Sequence, residues 1–248
     1  MNRKELERFL DTLLESAKFS DYSPNGLQVE GRAEVRRVVT GVTASQELID
    51  EAVRREADAL IVHHGFFWKG ESPRVIGYRR ARLATLLAHD LNLFAYHLPL
   101  DAHPEIGNNA GWGAAMGWRA RGRFGQQELG CWGEPAQPCS LSELADALAL
   151  KLEHRPLVIG DETREIRRIA WCSGGAQGYI EEALTLGVDA YLSGEISEQT
   201  PHIARENNIA YLACGHHASE RFGPRALALR LQEELGLECV FVDCPNPA

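Results

Sequence analysis

The sequence predicts an α/β fold made of two similar lobes related by a pseudo-twofold. Two observations carry this. Apolar residues recur at helical spacing near 3.6 in some segments, and these alternate with short β-branched apolar runs. The chain also repeats itself: residues 36–65 align without gaps to residues 167–196, at an offset of 131. Arg36-Arg37/Arg167-Arg168, Gln46/Gln177, Ile49/Ile180, Glu51-Ala52/Glu182-Ala183 and Asp58-Ala59/Asp189-Ala190 coincide. Each copy reads as an apolar strand, a small-residue turn, an amphipathic helix and a second apolar strand.

The remaining elements follow in the same order in both copies. A helix over 3–18, with Leu6, Phe9, Leu10, Leu13 and Leu14 on one face, precedes the first copy. A helix over 141–153, with Leu141, Leu144, Leu148 and Leu152, precedes the second. After the first copy come a helix at 79–90, a strand at 92–97 and a helix at 107–117. After the second come a helix at 198–207, a strand at 208–214, a helix at 223–235 and a closing strand at 237–242. The Gly- and Pro-containing stretch 122–140 reads as the join. The lobes are therefore expected at 1–122 and 123–248, with the last segments able to pack back on the first lobe.

Length and composition fit one large or two small globular domains: 248 residues, 44% hydrophobic and 25% charged. A net charge of −9 argues against a generic binder of nucleic-acid backbone. The cluster Arg79, Arg80 and Arg82, beside Lys69 and Arg74, reads either as a solvated helix face, the favoured reading, or as a local basic patch. None of the six cysteines forms a C-x-x-C pair, so free thiols in a reducing compartment are expected. The N-terminus reads as a charged amphipathic helix and not a signal peptide. No apolar run reaches the roughly 18–20 residues that span a membrane. A soluble, cytoplasmic protein is the expectation.

Candidate chemistry lies at the ends of apolar runs. Residues 59–65 end in His63-His64-Gly65. His97-Leu98-Pro99-Leu100-Asp101 follows the strand at 92–97, and His216-His217-Ala218-Ser219-Glu220 follows the strand at 208–214. Imidazole and carboxylate hold catalytic transition metals, and α/β sheets gather functional groups at the carboxyl ends of their strands. Beside Gly65 the backbone can turn and present both His63 and His64 to one cavity. His216 and Glu220, spaced i, i+4, share a face of a helical turn, and Glu220 can bridge two ions. Asp101 is a candidate terminal ligand in a constrained loop after Pro99. His97 reads either as a ligand or as a donor that orients one. At the offset of 131, Gly194 and Glu195 are the equivalents of His63 and His64. His217 reads as an outer-layer or surface residue. His89, His154 and His202 read as surface, and His103, two residues past Asp101, either faces the cleft or, the favoured reading, lies outside the site. Ser173-Gly174-Gly175-Ala176-Gln177-Gly178 reads either as an anion cradle or as a tight strand-to-helix turn. No G-x-S-x-G elbow is present, which argues against a serine hydrolase.

Five segments together resemble one family: 21–31 (DYSPNGLQVEG), Val62-His63-His64-Gly65, His97-Leu98-Pro99-Leu100-Asp101, Ser193-Gly194-Glu195 and Gly215-His216-His217-Ala218-Ser219-Glu220. Over the whole chain the sequence resembles the NIF-three-like dinuclear-metal proteins in their short bacterial YbgI form, whose members carry the label GTP cyclohydrolase I type 2 homologue. The resemblance implies metal ligation by His63, His64, Asp101, His216 and Glu220, with His97 close by. It implies a dimetal cleft between two α/β lobes and a ring-shaped homohexamer, a toroid. The inserted domain of longer relatives is missing here. The expected activity is that of a metal-dependent hydrolase of a small, nucleotide-like substrate. It would use two divalent ions (zinc, iron or manganese), with His97 or Glu195 transferring the proton. The rival expectation is a non-enzymatic, ring-shaped metalloprotein that partners nucleic acid or protein. No residue pattern specifically reads guanine or a triphosphate.

Overall fold

The computed structural model describes residues 1–248. The chain is α/β and forms two units, Met1–Leu100 with Gly223–Cys244, and Asp101–Phe222 with Pro245–Ala248.

The first unit opens with α1 (Arg3–Leu14). Asn2 and Glu5 form a capping box, and Leu6, Leu10 and Leu14 are buried. Glu15 takes a left-handed conformation (φ 52°), which ends the helix before the expected residue 18, and a single 3₁₀ turn continues to Lys18. Next come β1 (Gly26–Val29), β2 (Arg37–Thr43), α2 (Gln46–Arg54), β3 (Ala59–His64), α3 (Gly77–Ala88) and β4 (Asn92–Ala95). Ser45 accepts a hydrogen bond from the Leu48 amide and caps α2. Leu48, Ile49 and Ala52 of α2 pack with Val39, Leu60, Val62 and Leu93 from the strands. A short helix, α4 (Leu98–Ala102), then occupies the segment expected to be a loop. Pro99 sits in its first turn, where the missing amide costs no helical hydrogen bond.

The second unit contains α5 (Asn108–Ala115), β5 (Arg119–Phe124), β6 (Gly130–Glu134), β7 (Cys139–Ser140), α6 (Leu141–Leu152), β8 (Leu157–Ile159), β9 (Glu165–Ile166), β10 (Ile169–Cys172), α7 (Ile180–Thr185), β11 (Ala190–Ser193), α8 (Thr200–Glu206), β12 (Ala210–Ala213) and α9 (His216–Ser219). Its main sheet runs β5-β6-β10-β11-β12-β8. Ser140 and Glu143 form a capping box at the start of α6. Leu141, Leu144, Leu148 and Leu152 cluster with Trp112, Trp171, Leu192 and Leu212. The stretch read as a join is structured: β5 and β6 pair antiparallel and extend the sheet. A boundary at 122 would fall inside β5. The exposed Arg119 and Arg121 on this edge strand hide its sheet pattern while guarding it against further pairing.

The chain then returns to the first unit through α10 (Phe222–Leu235) and β13 (Glu238–Phe241), which completes the sheet β1-β4-β3-β2-β13. β2, β3, β4 and β13 are parallel, and β1 runs antiparallel to β4. In the second unit β10, β11 and β12 are parallel, and β8 runs antiparallel to β12. Register follows the offset seen in the sequence: Val38 pairs with Ala59, and Ile169 with Ala190. Asp58 accepts hydrogen bonds from the Arg36 and Arg37 amides at 2.8 and 2.9 Å. Asp189 accepts from the Arg167 and Arg168 amides, both at 2.8 Å.

Candidate metal centre

In the first unit, β3 delivers His63 and His64, and the segment after β4 delivers His97. Their ring centroids lie 4.6 Å (63–64), 5.0 Å (63–97) and 5.7 Å (64–97) apart. One ligand-type nitrogen from each ring falls within 4.8 Å of the others. Each Nδ1 has its own partner. His63 Nδ1 lies 3.1 Å from the Tyr96 carbonyl, His97 Nδ1 2.7 Å from Asp21 Oδ1, and His64 Nδ1 3.2 Å from Thr43 Oγ1. The Tyr96 carbonyl and the Asp21 carboxylate can only accept, so His63 and His97 donate from Nδ1, while the Thr43 hydroxyl can either donate to or accept from His64.

The segment 21–31 builds this corner. Asp21 also accepts from the Leu98 amide and from Asn25, and Asn25 Oδ1 accepts from the His97 amide at 2.8 Å. Burial raises the Asp21 carboxyl. The hydrogen bond and charge of His97, with the Asn25 and Leu98 bonds, outweigh it and bring the pKa to about 2. Gln28 accepts from the Phe66 amide at 2.6 Å and fixes the turn after His64. A Cβ at Gly65 would overlap Gln28 and Ala95, so only glycine fits there.

In the second unit, Asp101 is buried and its Oδ1 accepts from Asn108 Nδ2 at 2.9 Å and Ser173 Oγ at 3.0 Å. Asn109 braces the same corner: its Oδ1 accepts from the Ser173 amide at 2.8 Å, and its carbonyl accepts from Trp171 Nε1 at 2.9 Å. His216 begins α9 and Glu220 caps it. His216 Nε2 lies 3.2 Å from Glu220 Oε2, and its Nδ1 lies 2.7 Å from Glu195 Oε1. Burial works against the His216 charge, but Glu220 and Glu195 outweigh it and raise its pKa to about 9. A Cβ on Gly174 would overlap Glu220 and approach His216 Nε2 to 3.3 Å.

The 173–178 segment behaves as a turn. The Gly174 amide donates to Ser219 Oγ and the Ala176 amide to Ser193 Oγ. His217 is buried and its amide donates to the Ala248 carbonyl, so it is not a surface residue. His103 Nδ1 accepts from the Glu105 and Ile106 amides, a structural role. All six cysteines are free, and burial, with Asp101 nearby, keeps the Cys172 thiol protonated. Asp21, Thr43, Asn108 and Asn109 carry no spacing signal that would mark them as site residues, and Ser173 was marked only as the start of the 173–178 segment. Only the match of 21–31 to a family motif pointed near Asp21.

A sequence model of the Duf34/NIF3 (NGG1p interacting factor 3) family matches residues 1–247. The chain belongs to this family. It is 53% identical over 249 residues to a Salmonella typhimurium protein named GTP cyclohydrolase 1 type 2 homolog, with 100% of both chains covered. A Pseudomonas aeruginosa protein of the same name is 52% identical, covering 99% of this chain and 96% of its own. Among solved structures, the protein ybgI, of unknown function, superposes with a TM-score of 0.96 at 52% identity and full coverage of both chains. A Thermus thermophilus protein superposes at 0.91 and 34% identity, again with full coverage of both. In this Duf34/NIF3 chain the donor chemistry fits metal: three imidazoles held through Nδ1 in one unit, and two carboxylates with a histidine in the other. No helix is long and apolar enough to cross a membrane.

Proposed function

We propose that this chain is a metal-dependent hydrolase of a small, nucleotide-like substrate, with His63, His64, Asp101, His216 and Glu220 holding two divalent ions. The supporting observation is the trio His63, His64 and His97, whose Nδ1 atoms are each engaged while their ligand-type nitrogens gather within 4.8 Å. Neutral imidazoles alone leave the charge of divalent ions uncompensated. Asp101 and Glu220 supply the negative charge, and Glu220 has two oxygens with which to bridge. Two bound ions would supply an activated water and polarise the carbon or phosphorus under attack. Asp21, Thr43 and the Tyr96 carbonyl hold the imidazoles in orientation, and Ser173 and Asn108 do the same for Asp101. His97 and Glu195, each joined to a partner of opposite proton demand, are the proposed proton carriers. The name GTP cyclohydrolase 1 type 2 homolog, borne by the relatives, agrees with hydrolytic chemistry on a nucleotide.

The test is elemental analysis with a panel of nucleotide, phosphatase and amidohydrolase substrates. Two ions per chain and a metal-dependent turnover are expected. Glu220→Gln keeps the side-chain volume but turns an amide NH₂ toward a cation, so at least one ion and all turnover should be lost with the circular dichroism unchanged. His217→Ala should keep both ions. A single ion at full metal loading would end the dinuclear reading. Metal loss in His217→Ala but not in Glu220→Gln would mean that His217, and not Glu220, is the ligand at this end of α9.

A further inference from the structure

A cavity of about 330 Å³ opens in the first unit beside His64. That is at the small end of the ~300–1,000 Å³ range of small-molecule sites. Its walls include Phe67, Trp68 and Tyr78, and Arg74, Arg79 and Arg82 reach it against a single acidic residue, Glu71. Three features set it apart from an ordinary surface groove. Phe67 is half exposed yet sits at φ 66°, a conformation a bulky side chain rarely keeps without purpose. Trp68 donates from Nε1 to the Gly65 carbonyl at 3.2 Å, and its ring is 5.8 Å from that of His64, so the aromatic wall is tied to the candidate ligand. Arg79 is paired with Glu71, whereas the Arg82 guanidinium lies 5.1 Å over the Tyr78 ring, has no carboxylate partner, and buries Nε without a hydrogen bond. In a chain of net charge −9 this is a local concentration of positive charge on an aromatic floor.

We infer that this cavity is a recognition subsite for a planar aromatic anion of the nucleoside monophosphate class. The base stacks among Phe67, Trp68 and Tyr78, and the phosphate meets the Arg82 guanidinium, with Arg74 adding charge. Aromatic faces accept any base, while a guanidinium selects phosphate through paired N–H donors. The base end, against Trp68, is then the one nearest His64, whose ring lies 5.8 Å from that of Trp68. The inference deepens the hydrolase reading and rests on it for the neighbouring chemistry, but binding itself needs no turnover.

The probe is GMP, with guanosine and inorganic phosphate as separate arms. Binding is followed by calorimetry and tryptophan fluorescence at two salt concentrations, and metal content is measured on every sample. GMP should bind more tightly than either fragment and weaken with salt. Arg82→Gln should weaken GMP by about tenfold or more, the effect of losing one charge-assisted contact, and leave guanosine unchanged. Tyr78→Ala should weaken both GMP and guanosine. Circular dichroism and metal content should match the parent in both variants. No GMP binding at about millimolar concentration, or equal GMP affinity in Arg82→Gln, overturns the subsite. So does Tyr78→Ala if it breaks up an assembly of copies without altering GMP binding, since the face would then be a subunit contact. GMP binding without turnover on any substrate defeats the hydrolase reading alone. Two ions per chain without GMP binding defeats the subsite alone.

Discussion

His97 and His216 are each hydrogen-bonded through Nδ1 to a carboxylate at 2.7 Å, Asp21 in one unit and Glu195 in the other. Such outer carboxylates fix the imidazole tautomer and raise its basicity as a ligand. Asp21 has a consequence for acid stability. Its folded pKa of about 2 lies below the ordinary value of 3.8. A lowered carboxyl pKa stabilises the folded state fully above about pH 4, and that contribution disappears as the pH falls through about 2. Asp21→Asn should therefore lower Tm at pH 7, and the gap to the parent should narrow progressively below pH 4. Thermal unfolding across that range decides it: a gap that stays constant to pH 3 would mean Asp21 acts by shape and not by charge. The same variant should bind metal about 10–100-fold more weakly. The histidines were legible as adjacent or spaced residues at strand ends. Asp21 was marked only by the resemblance of 21–31 to a family segment, because 76 residues separate it from His97 and spacing alone does not join them.

Among the elements, the parallel strands and the helices beside them announced themselves, since β3, β11 and β12 are buried apolar runs and α2 and α6 have one apolar face with a serine cap. The antiparallel additions did not. β1 and β8 span four and three residues, and β5 reads RARGRF, with arginines where alternation would show a strand. The turns after the strands matter most to the site. Gly174 follows β10 with φ +67°, and a Cβ there would overlap Glu220. Gly174→Ala should displace Glu220, abolish tight binding of at least one ion, and cost about 1 kcal/mol or more from the strained φ alone. Elemental analysis beside a denaturation curve checks both parts. Full metal content in this variant would show that Glu220 has room to move and is not held by the turn. The Ser173–Gly178 segment could be read from sequence as a cradle or a turn. Its Gly174 and Ala176 amides donate to Ser219 and Ser193, as the amides of a turn do.

Across the whole molecule, each unit carries its own core, one built on Leu48, Ile49, Leu60 and Leu93, the other on Trp112, Trp171, Leu148 and Leu192. Removal of metal by a chelator should therefore lower Tm without unfolding the chain at room temperature. A ligand at one hundred times its Kd contributes about 2.7 kcal/mol, and loss of far-UV circular dichroism on chelation would show that metal is instead required to fold. The family resemblance leads us to propose a ring of six, so light scattering should give about six times 27.5 kDa. A stable monomer at micromolar concentration would refute this. Two repeats were visible in the sequence as an offset of 131, and paired positions within them, Asp58 and Asp189, make the same pair of backbone contacts. The division at residue 100 was not visible, because nothing in the composition of α4 distinguishes it from a loop.

The return of 223–244 to the first unit has a consequence for birth on the ribosome. β2 occupies residues 37–43, yet its outer neighbour β13 is made last, at 238–241, and pairs with it in parallel from Arg37–Glu238 to Thr40–Phe241. The second unit is continuous from 101 to 222 apart from its last four residues, so its closure does not wait for β13. The first unit, although begun first, stays open along β2 until nearly two hundred further residues have emerged. An unpaired parallel edge during that interval is a site for mispairing, and formation of the β2–β13 pair carries a long-range loop cost. The exposed Arg37, which pairs with Glu56 and later with Glu238, places a charge at the start of that waiting edge. Released chains truncated before 238 should show protease protection across 101–222 and less across 37–43 than the full chain.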